Sequence, residues 1–247
     1  MKKILITGCS SGFGLEIARS FLNRQDWTVV ATMRKPKTDI LPASDRLRVV
    51  PLDVTDPDSI SQAIKVAGPI DVLVNNAGIG YMNALEGTSI AIVHDVFETN
   101  VFGTMAMTQA VLPQFRERKS GVIINVTSSV TLPPLPLLSI YTASKAAVNA
   151  FSEVLALELE PFNIRVHILL PGRAPNTSFG TNARSRMTAG FAAPYAEYAK
   201  TAFANLQKEG LVTHPIDVVE AVWRAATDPS CPIRLAAGAD AVALMPV

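Results

Sequence analysis

Six short runs of this chain read as strands, several of them apolar at consecutive positions, and longer stretches with a helical period separate them. The runs are Lys3–Thr7, Trp27–Met33, Leu47–Leu52, Asp71–Asn75, Gly121–Thr127 and Ile164–Leu170. Successive side chains of a strand point to opposite faces. A run that is apolar at every position is therefore buried on both sides, as in a parallel sheet covered by helices. The intervening stretches are Phe13–Asn23, Asp58–Ala67, a long one near Ile92–Arg118, Ser139–Leu159 and, later, Pro215–Thr227 with a proline at its first turn. In the first of them Phe13, Ile17 and Phe21 recur every four residues, beside Gly14, Ala18 and Leu22, which makes one apolar stripe. The alternation predicts an α/β fold with a doubly wound parallel sheet and helices on both faces.

A length of 247 residues allows one domain or two. No linker, repeat or low-complexity segment divides the chain, so a single domain spanning 1–247 is expected. The pattern weakens between Arg173 and Thr213, and 173–213 reads as a lid over the site. A last short strand is expected near Ile233–Leu235, and the Ala-rich Leu235–Leu244 tail as an edge strand or a subunit contact. Lys plus Arg number 22 against 21 Asp plus Glu, so no broad field favours nucleic acid or anionic lipid. Hydrophobic residues are 49% and mean hydropathy is +0.27. Even so, the longest apolar stretches, such as Val122–Val126, fall far short of the ~18 residues a membrane-spanning helix needs. Cys9 and Cys231 cannot form a disulfide framework or a zinc site by themselves, and His94, His167 and His214 lack metal-ligand spacing. Cys9 reads as a packing residue. The chain opens MKKILITG and runs straight into a Gly-rich turn, without the apolar segment of a signal peptide. A cytoplasmic, reducing-compartment protein is expected.

That turn is Thr7-Gly8-Cys9-Ser10-Ser11-Gly12-Phe13-Gly14, between the first strand and the first helix. Glycine lets the backbone approach a phosphate closely, and the helix start behind it offers free N–H groups to a pyrophosphate. The spacing T-G-x3-G-x-G departs from G-x-G-x-x-G. The alternative is a tight structural turn. With the strand and helix around it, the turn points to a Rossmann-type dinucleotide-binding sheet. The second strand ends in Met33-Arg34-Lys35, where an NAD-binding fold places an acidic residue for the ribose hydroxyl. An arginine there can grip a 2′-phosphate, with Ser11 and Lys35 assisting, which favours NADP(H). The alternative is that Arg34 and Lys35 are a solvated strand end.

Tyr141 and Lys145 stand four apart on one helix and so share a face. A phenol titrates near 10, and poising it at neutral pH requires roughly 4 kcal/mol. A nearby cation at an effective dielectric of about 20 supplies a few kcal/mol. Alone, the pair is as easily a helix-surface pair. It is joined, in order, by the Gly turn, Asn75-Asn76-Ala77-Gly78 after the fourth strand, Asn100 in the long helix, Ser128 after the fifth strand and Pro171-Gly172 after the sixth. This ordered set resembles the short-chain dehydrogenase/reductase family, in its short single-domain branch, over about Lys3–Gly172. The Arg34 end is similar to the NADP(H)-using hydroxysteroid dehydrogenase and carbonyl reductase members.

The resemblance implies a catalytic tetrad of Asn100, Ser128, Tyr141 and Lys145. Tyr141 exchanges the proton with a carbonyl or alcohol oxygen, and Ser128 hydrogen-bonds that oxygen. Ser129 is the neighbouring candidate. Lys145 holds the nicotinamide ribose and depresses the Tyr141 pKa, and Asn100 positions a water that links Lys145 to solvent. Cofactor contacts fall to Gly8, Ser10, Ser11, Gly12, Phe13, Gly14, Arg34, Asp53, where the family contacts the adenine ring, and Val54. Asn76, Ala77, Gly78, Tyr141, Lys145, Pro171 and Gly172 complete them. The family usually places a Thr five residues past the proline. Here Asn176 stands there and Thr177 follows; a one-residue insertion, Arg173-Ala174-Pro175, is the simplest account, which makes Thr177 a cofactor-binding candidate and leaves the carboxamide contact open between the two.

Leu132–Leu138, with three prolines and four leucines, and the lid aromatics Phe179, Phe191, Tyr195, Tyr198 and Phe203 with Met187 suggest an apolar ketone, aldehyde or secondary alcohol. The alternative is that these residues only pack against the scaffold. A homodimer or homotetramer is implied by the family, through the long helices near Asn100 and Tyr141. A competing reading is a nucleotide-sensing regulator without turnover. Such a protein has no need of Tyr141 and Lys145, yet this chain keeps both.

Overall fold

Seven parallel strands form one sheet in the order β3-β2-β1-β4-β5-β6-β7. In this computed structural model, residues 1–37, 39–187, 190–207 and 210–245 are described. The strands are β1 (Lys2–Ile6), β2 (Trp27–Met33), β3 (Leu47–Pro51), β4 (Val72–Asn75), β5 (Gly121–Val126), β6 (Ile164–Pro171) and β7 (Arg234–Ala237). The helices that cover them are α1 (Gly12–Asn23), α2 (Pro57–Ala67), α3 (Ile90–Phe97), α4 (Gly103–Arg118), α5 (Ser139–Leu159) and α8 (Pro215–Thr227). Two further helices, α6 (Phe179–Arg184) and α7 (Ala196–Gln207), lie within the 173–213 segment, and α9 (Ala239–Ala243) closes the chain. Of the expected lid, 188–189 and 208–209 lie outside the described residues.

The consecutive apolar pattern has the cause inferred from it. Ile4 and Ile6 of β1 enter one core with α1 and α8, while Leu5 between them enters the other core with α2, α4 and α5. Val72 and Val74 of β4 divide from Leu73 in the same way. In both cores each fully buried Leu or Ile contributes on the order of 2 kcal/mol.

Sheet order reverses between β1 and β4, so a crevice opens at the carboxyl ends of those strands. The Gly-rich turn, Asn76, Ser128 and Pro171-Gly172 all leave the sheet at that edge. Beneath it a polar ladder stiffens the floor. Asn75 and Asn125 are opposite each other in register, Asn75 Nδ2 donates to Asn125 Oδ1 at 2.9 Å, and Asn125 Nδ2 donates to Ser152 Oγ at 2.8 Å.

Two expectations are revised. The single long helix near Ile92–Arg118 is α3 and α4 joined by a π-helical turn at Glu98–Phe102. A π turn inserts one residue into the helical period, which a 3.6-residue pattern does not reveal. The last strand is Arg234–Ala237, an edge strand as the tail reading allowed, but the tail then turns at Gly238 (φ 102°) into α9.

Candidate active site

Tyr141, Ser144 and Lys145 lie on the buried face of α5, whose N-terminus abuts the crevice. Asn100, Ser128, Tyr141 and Lys145 are all buried, at 1%, 8%, 7% and 5% exposure, in a molecule whose lysines mostly face water. The Ser128 side chain hydrogen-bonds Tyr141. Lys145 Nζ lies 5.9 Å from the Tyr141 ring centre and donates to Val126 O at 3.0 Å. Ser129 begins a separate 3-10 turn that Ser128 caps through a bond from Val130 N.

Asn100 sits inside the π turn, where it is carried toward the crevice. Its Oδ1 accepts from Ile79 N at 2.8 Å, and its Nδ2 donates to Ile79 O at 2.9 Å and to Ser144 Oγ at 3.0 Å. The side chain thus clamps the loop after β4, while the backbone carbonyl accepts the Thr104 hydroxyl at 2.8 Å. Asn100 Oδ1 and Lys145 Nζ flank Gly78 from two sides. A Cβ on Gly78 would stand 3.2 Å from the first and 3.3 Å from the second.

The electrostatics differ from the expectation that Lys145 lowers the Tyr141 pKa. Burial pushes the phenol well above its ordinary value, with the bond from Ser128 pulling it back. Burial also pushes the Lys145 ammonium down to about 8. Desolvation is the largest influence at both groups.

The Gly turn is tight at the backbone. Gly8 (φ 75°) could take no side chain, because a Cβ would sit 2.9 Å from Ala77 Cα, and a Cβ on Gly14 would sit 2.5 Å from Gly8 O. Asn76 Nδ2 holds that turn through Thr7 O at 2.9 Å and Gly8 O at 3.3 Å. Ser11 is the N-cap of α1 but makes no side-chain cap bond, which leaves the first-turn N–H groups facing the crevice. Ser10 is exposed and Phe13 packs on the core. Cys9 is inert: burial pushes its thiol up to about 12, against a backbone bond that lowers it.

Just past the end of β2, Arg34 and Lys35 are exposed. Burial raises the Asp53 pKa, but hydrogen bonds from Thr55 and the Arg34 charge outweigh it and hold the carboxyl below its usual range. Val54 is buried against the Gly103 position. Thr177 is half-buried and faces Gly12, with 3.8 Å between its Cβ and the place of a Gly12 Cβ, while Asn176 is exposed. Thr177 thus stands nearer the Gly-rich turn than Asn176 does. Phe179 of α6 packs beside Tyr141, with ring centres 5.6 Å apart. Phe191 and Phe203 pack on each other at 5.7 Å, and Tyr195 hydrogen-bonds Glu86.

Sequence reasoning missed three residues. The Thr7 hydroxyl accepts from both Asn76 N and Ala77 N at 2.9 Å, and its place in the Thr-Gly start of the motif was the available signal. Ser144 links Asn100 to Tyr141 O at 2.7 Å and had no signal beyond its helix. Asn83 Nδ2 donates to Tyr81 Oη at 3.2 Å and to Gly190 O at 3.1 Å, tying the loop after β4 to the lid. No spacing pointed to it.

A family model described as short chain dehydrogenase matches residues 2–188. The chain is 37% identical to the uncharacterized oxidoreductase YusZ of Bacillus subtilis (strain 168), over 92% of this chain and 85% of that one. It is 39% identical to a 3-ketodihydrosphingosine reductase of Bacteroides thetaiotaomicron, over 83% of this chain and 76% of that one. A closed serine dehydrogenase solved with NADP+ superposes with a TM-score of 0.80, 32% identity and coverage of 96% and 94%. A 3-ketoacyl-(acyl-carrier-protein) reductase of Brucella melitensis solved with NADH gives a TM-score of 0.78, 28% identity and coverage of 95% and 96%.

Proposed function

The chain belongs to the short-chain dehydrogenase family and is an oxidoreductase of that family, and from that premise we propose an NADP(H)-dependent reaction between a ketone or aldehyde and the matching alcohol, with Tyr141 as acid and base. The observation that carries this reading is the convergence of Ser128, Tyr141 and Lys145 beside a turn open only at its backbone. The glycine cradle and the uncapped start of α1 fit a pyrophosphate. Gly8, Gly12, Gly14 and the first turn of α1 would hold it. Arg34, with Ser11 and Lys35, would take a 2′-phosphate. Asp53 and Val54 would border the adenine, and Asn76, Ala77 and Gly78 the adenosine ribose. Lys145 would hold the nicotinamide ribose, and Pro171, Gly172 and Thr177 the ring. A nicotinamide bound there supplies or accepts the hydride.

The residues of the chain handle the proton. In the reducing direction Tyr141 Oη donates to the carbonyl oxygen while Ser128 Oγ hydrogen-bonds the same oxygen as charge develops on it. The raised phenol pKa favours the protonated form that this step needs. Lys145, held near 8, can return a proton at neutral pH. Phe179 beside Tyr141, with the other aromatics of 173–213 and Leu132–Leu138, favours an apolar carbonyl compound. The name of the Bacteroides relative supports a ketone substrate, whereas that of the serine dehydrogenase sets a small polar one against it. Exposed Phe102, Val154 and Leu157 near the π turn and on α5 support association into a homodimer or homotetramer.

The test is absorbance change at 340 nm over a panel of apolar ketones, small charged keto acids and serine. Turnover of the apolar ketones is expected. Tyr141→Phe is expected to lose about 10²- to 10⁴-fold in kcat with cofactor affinity nearly unchanged. Preference for charged acids overturns the substrate class. NADPH binding without turnover of any compound overturns the enzyme reading in favour of a nucleotide sensor.

A further inference from the structure

The 173–213 segment leaves the sheet and returns to it at one point, and a single carboxylate stands there. Thr213 N donates to Arg173 O at 2.8 Å, so the two ends of the segment are bonded to each other. Asp240, on α9, accepts from Arg173 N on Oδ2 at 2.6 Å and meets the Thr213 hydroxyl on Oδ1 at 2.7 Å. The Thr213 oxygen in turn accepts from Gly172 N at 2.8 Å. Its one proton has a second acceptor in Ala237 O, also at 2.8 Å. Thr213 is 1% exposed, so these bonds form away from water.

Two glycines make room for this arrangement. A Cβ on Gly172 would stand 2.1 Å from the Asp240 carboxylate, and one on Gly238 would stand 2.0 Å from Thr213 Oγ1. Gly238 also has φ 102°, which other residues rarely adopt. The carboxylate therefore has one place to sit, and that place is shared by the entry and the exit of the segment.

We propose that Asp240 is a positioning residue that fastens both ends of the 173–213 segment and so fixes the Pro171-Gly172 turn, Thr177 and Phe179 over the reacting end of the crevice. It acts through these residues and touches no reacting atom. The assignment of that end of the crevice to the nicotinamide rests on the function proposed above, whereas the fastening itself rests only on the bonds. Charge-assisted bonds to a carboxylate outweigh neutral ones, and losing two of them shifts a local opening equilibrium by roughly ten- to a hundredfold.

The test compares full-length wild type with Asp240→Ala, Asp240→Asn and Thr213→Val. Amide hydrogen exchange at Gly172, Arg173 and Thr213 is expected to quicken by about tenfold or more in Asp240→Ala, and less in Asp240→Asn, which keeps one acceptor oxygen. Amides of β1 and β4 are expected to exchange as in wild type. With a carbonyl substrate, KM is expected to rise about tenfold while kcat changes within about twofold. Unchanged exchange at the three amides overturns the proposal, as does an acceleration shared equally by β1 and β4, or a fall in kcat at constant KM. If Asp240→Ala does not fold, Thr213→Val, which removes the hydroxyl joining Gly172 to Asp240, decides by the same exchange pattern. If wild type turns over no carbonyl compound, the proposed function fails, and the exchange result still decides the role of Asp240.

Discussion

Lys145 carries its charge where a lysine is costly to keep. Its ammonium titrates at about 8 in the folded chain against 10.5 for an ordinary lysine, and the cause is burial. Between those values the unfolded chain holds the extra proton, so stability rises with pH through that window. Below about pH 8 the cost is fully present, and it amounts to roughly 3 kcal/mol. Lys145→Met is therefore expected to abolish turnover yet raise Tm at pH 7 by several degrees, less what the lost bond to Val126 O withdraws. Near pH 10.5 the two melting curves are expected to converge. A variant that melts below wild type at pH 7 contradicts the desolvation account. Such a site trades stability for function.

At the scale of elements, the Gly turn ranks its own substitutions. A Cβ on Gly14 meets Gly8 O at 2.5 Å, whereas one on Gly12 meets only Thr177 at 3.8 Å, with φ 58° as its burden. Gly14→Ala is expected to cost about 1–3 kcal/mol by overpacking and to weaken dinucleotide binding. Gly12→Ala is expected to cost about 1 kcal/mol from its left-handed backbone alone. Urea unfolding of both variants checks the order, and equal losses would leave the steric argument without support. These glycines were legible in the chain because a backbone constraint leaves its mark on residue type. The strands were legible because burial on both faces leaves an unbroken apolar run. The π turn at Glu98–Phe102 was not, since a single added residue disturbs no local pattern. Asn83, Ser144 and Asp240 were equally silent, because their partners stand far away in sequence: Gly190, Asn100 and Arg173.

For the whole molecule, ligand binding and folding are linked. A dinucleotide that binds only the folded chain at a hundred times its Kd adds about 2.7 kcal/mol of stability. If Arg34 takes a 2′-phosphate, NADPH is expected to raise Tm by several degrees more than NADH at equal concentration. Arg34→Ala is expected to erase that difference while leaving the NADH shift in place. Equal shifts in wild type would assign Arg34 and Lys35 to the solvated strand end instead. The comparison reads cofactor choice without any substrate, which matters because solved relatives hold NADP+ in one case and NADH in another.

The meeting of Arg173 and Thr213 has a consequence for how such a chain can diversify. A segment whose ends already touch adds little closure entropy when it lengthens or shortens. The sheet, the cradle and the buried tetrad lie outside it, so it forms a cassette mounted on one clasp. On the proposed function, exchange of that cassette between relatives is expected to change what the crevice admits without redesigning the chemistry beneath, provided the incoming piece begins and ends on groups that Asp240 can hold.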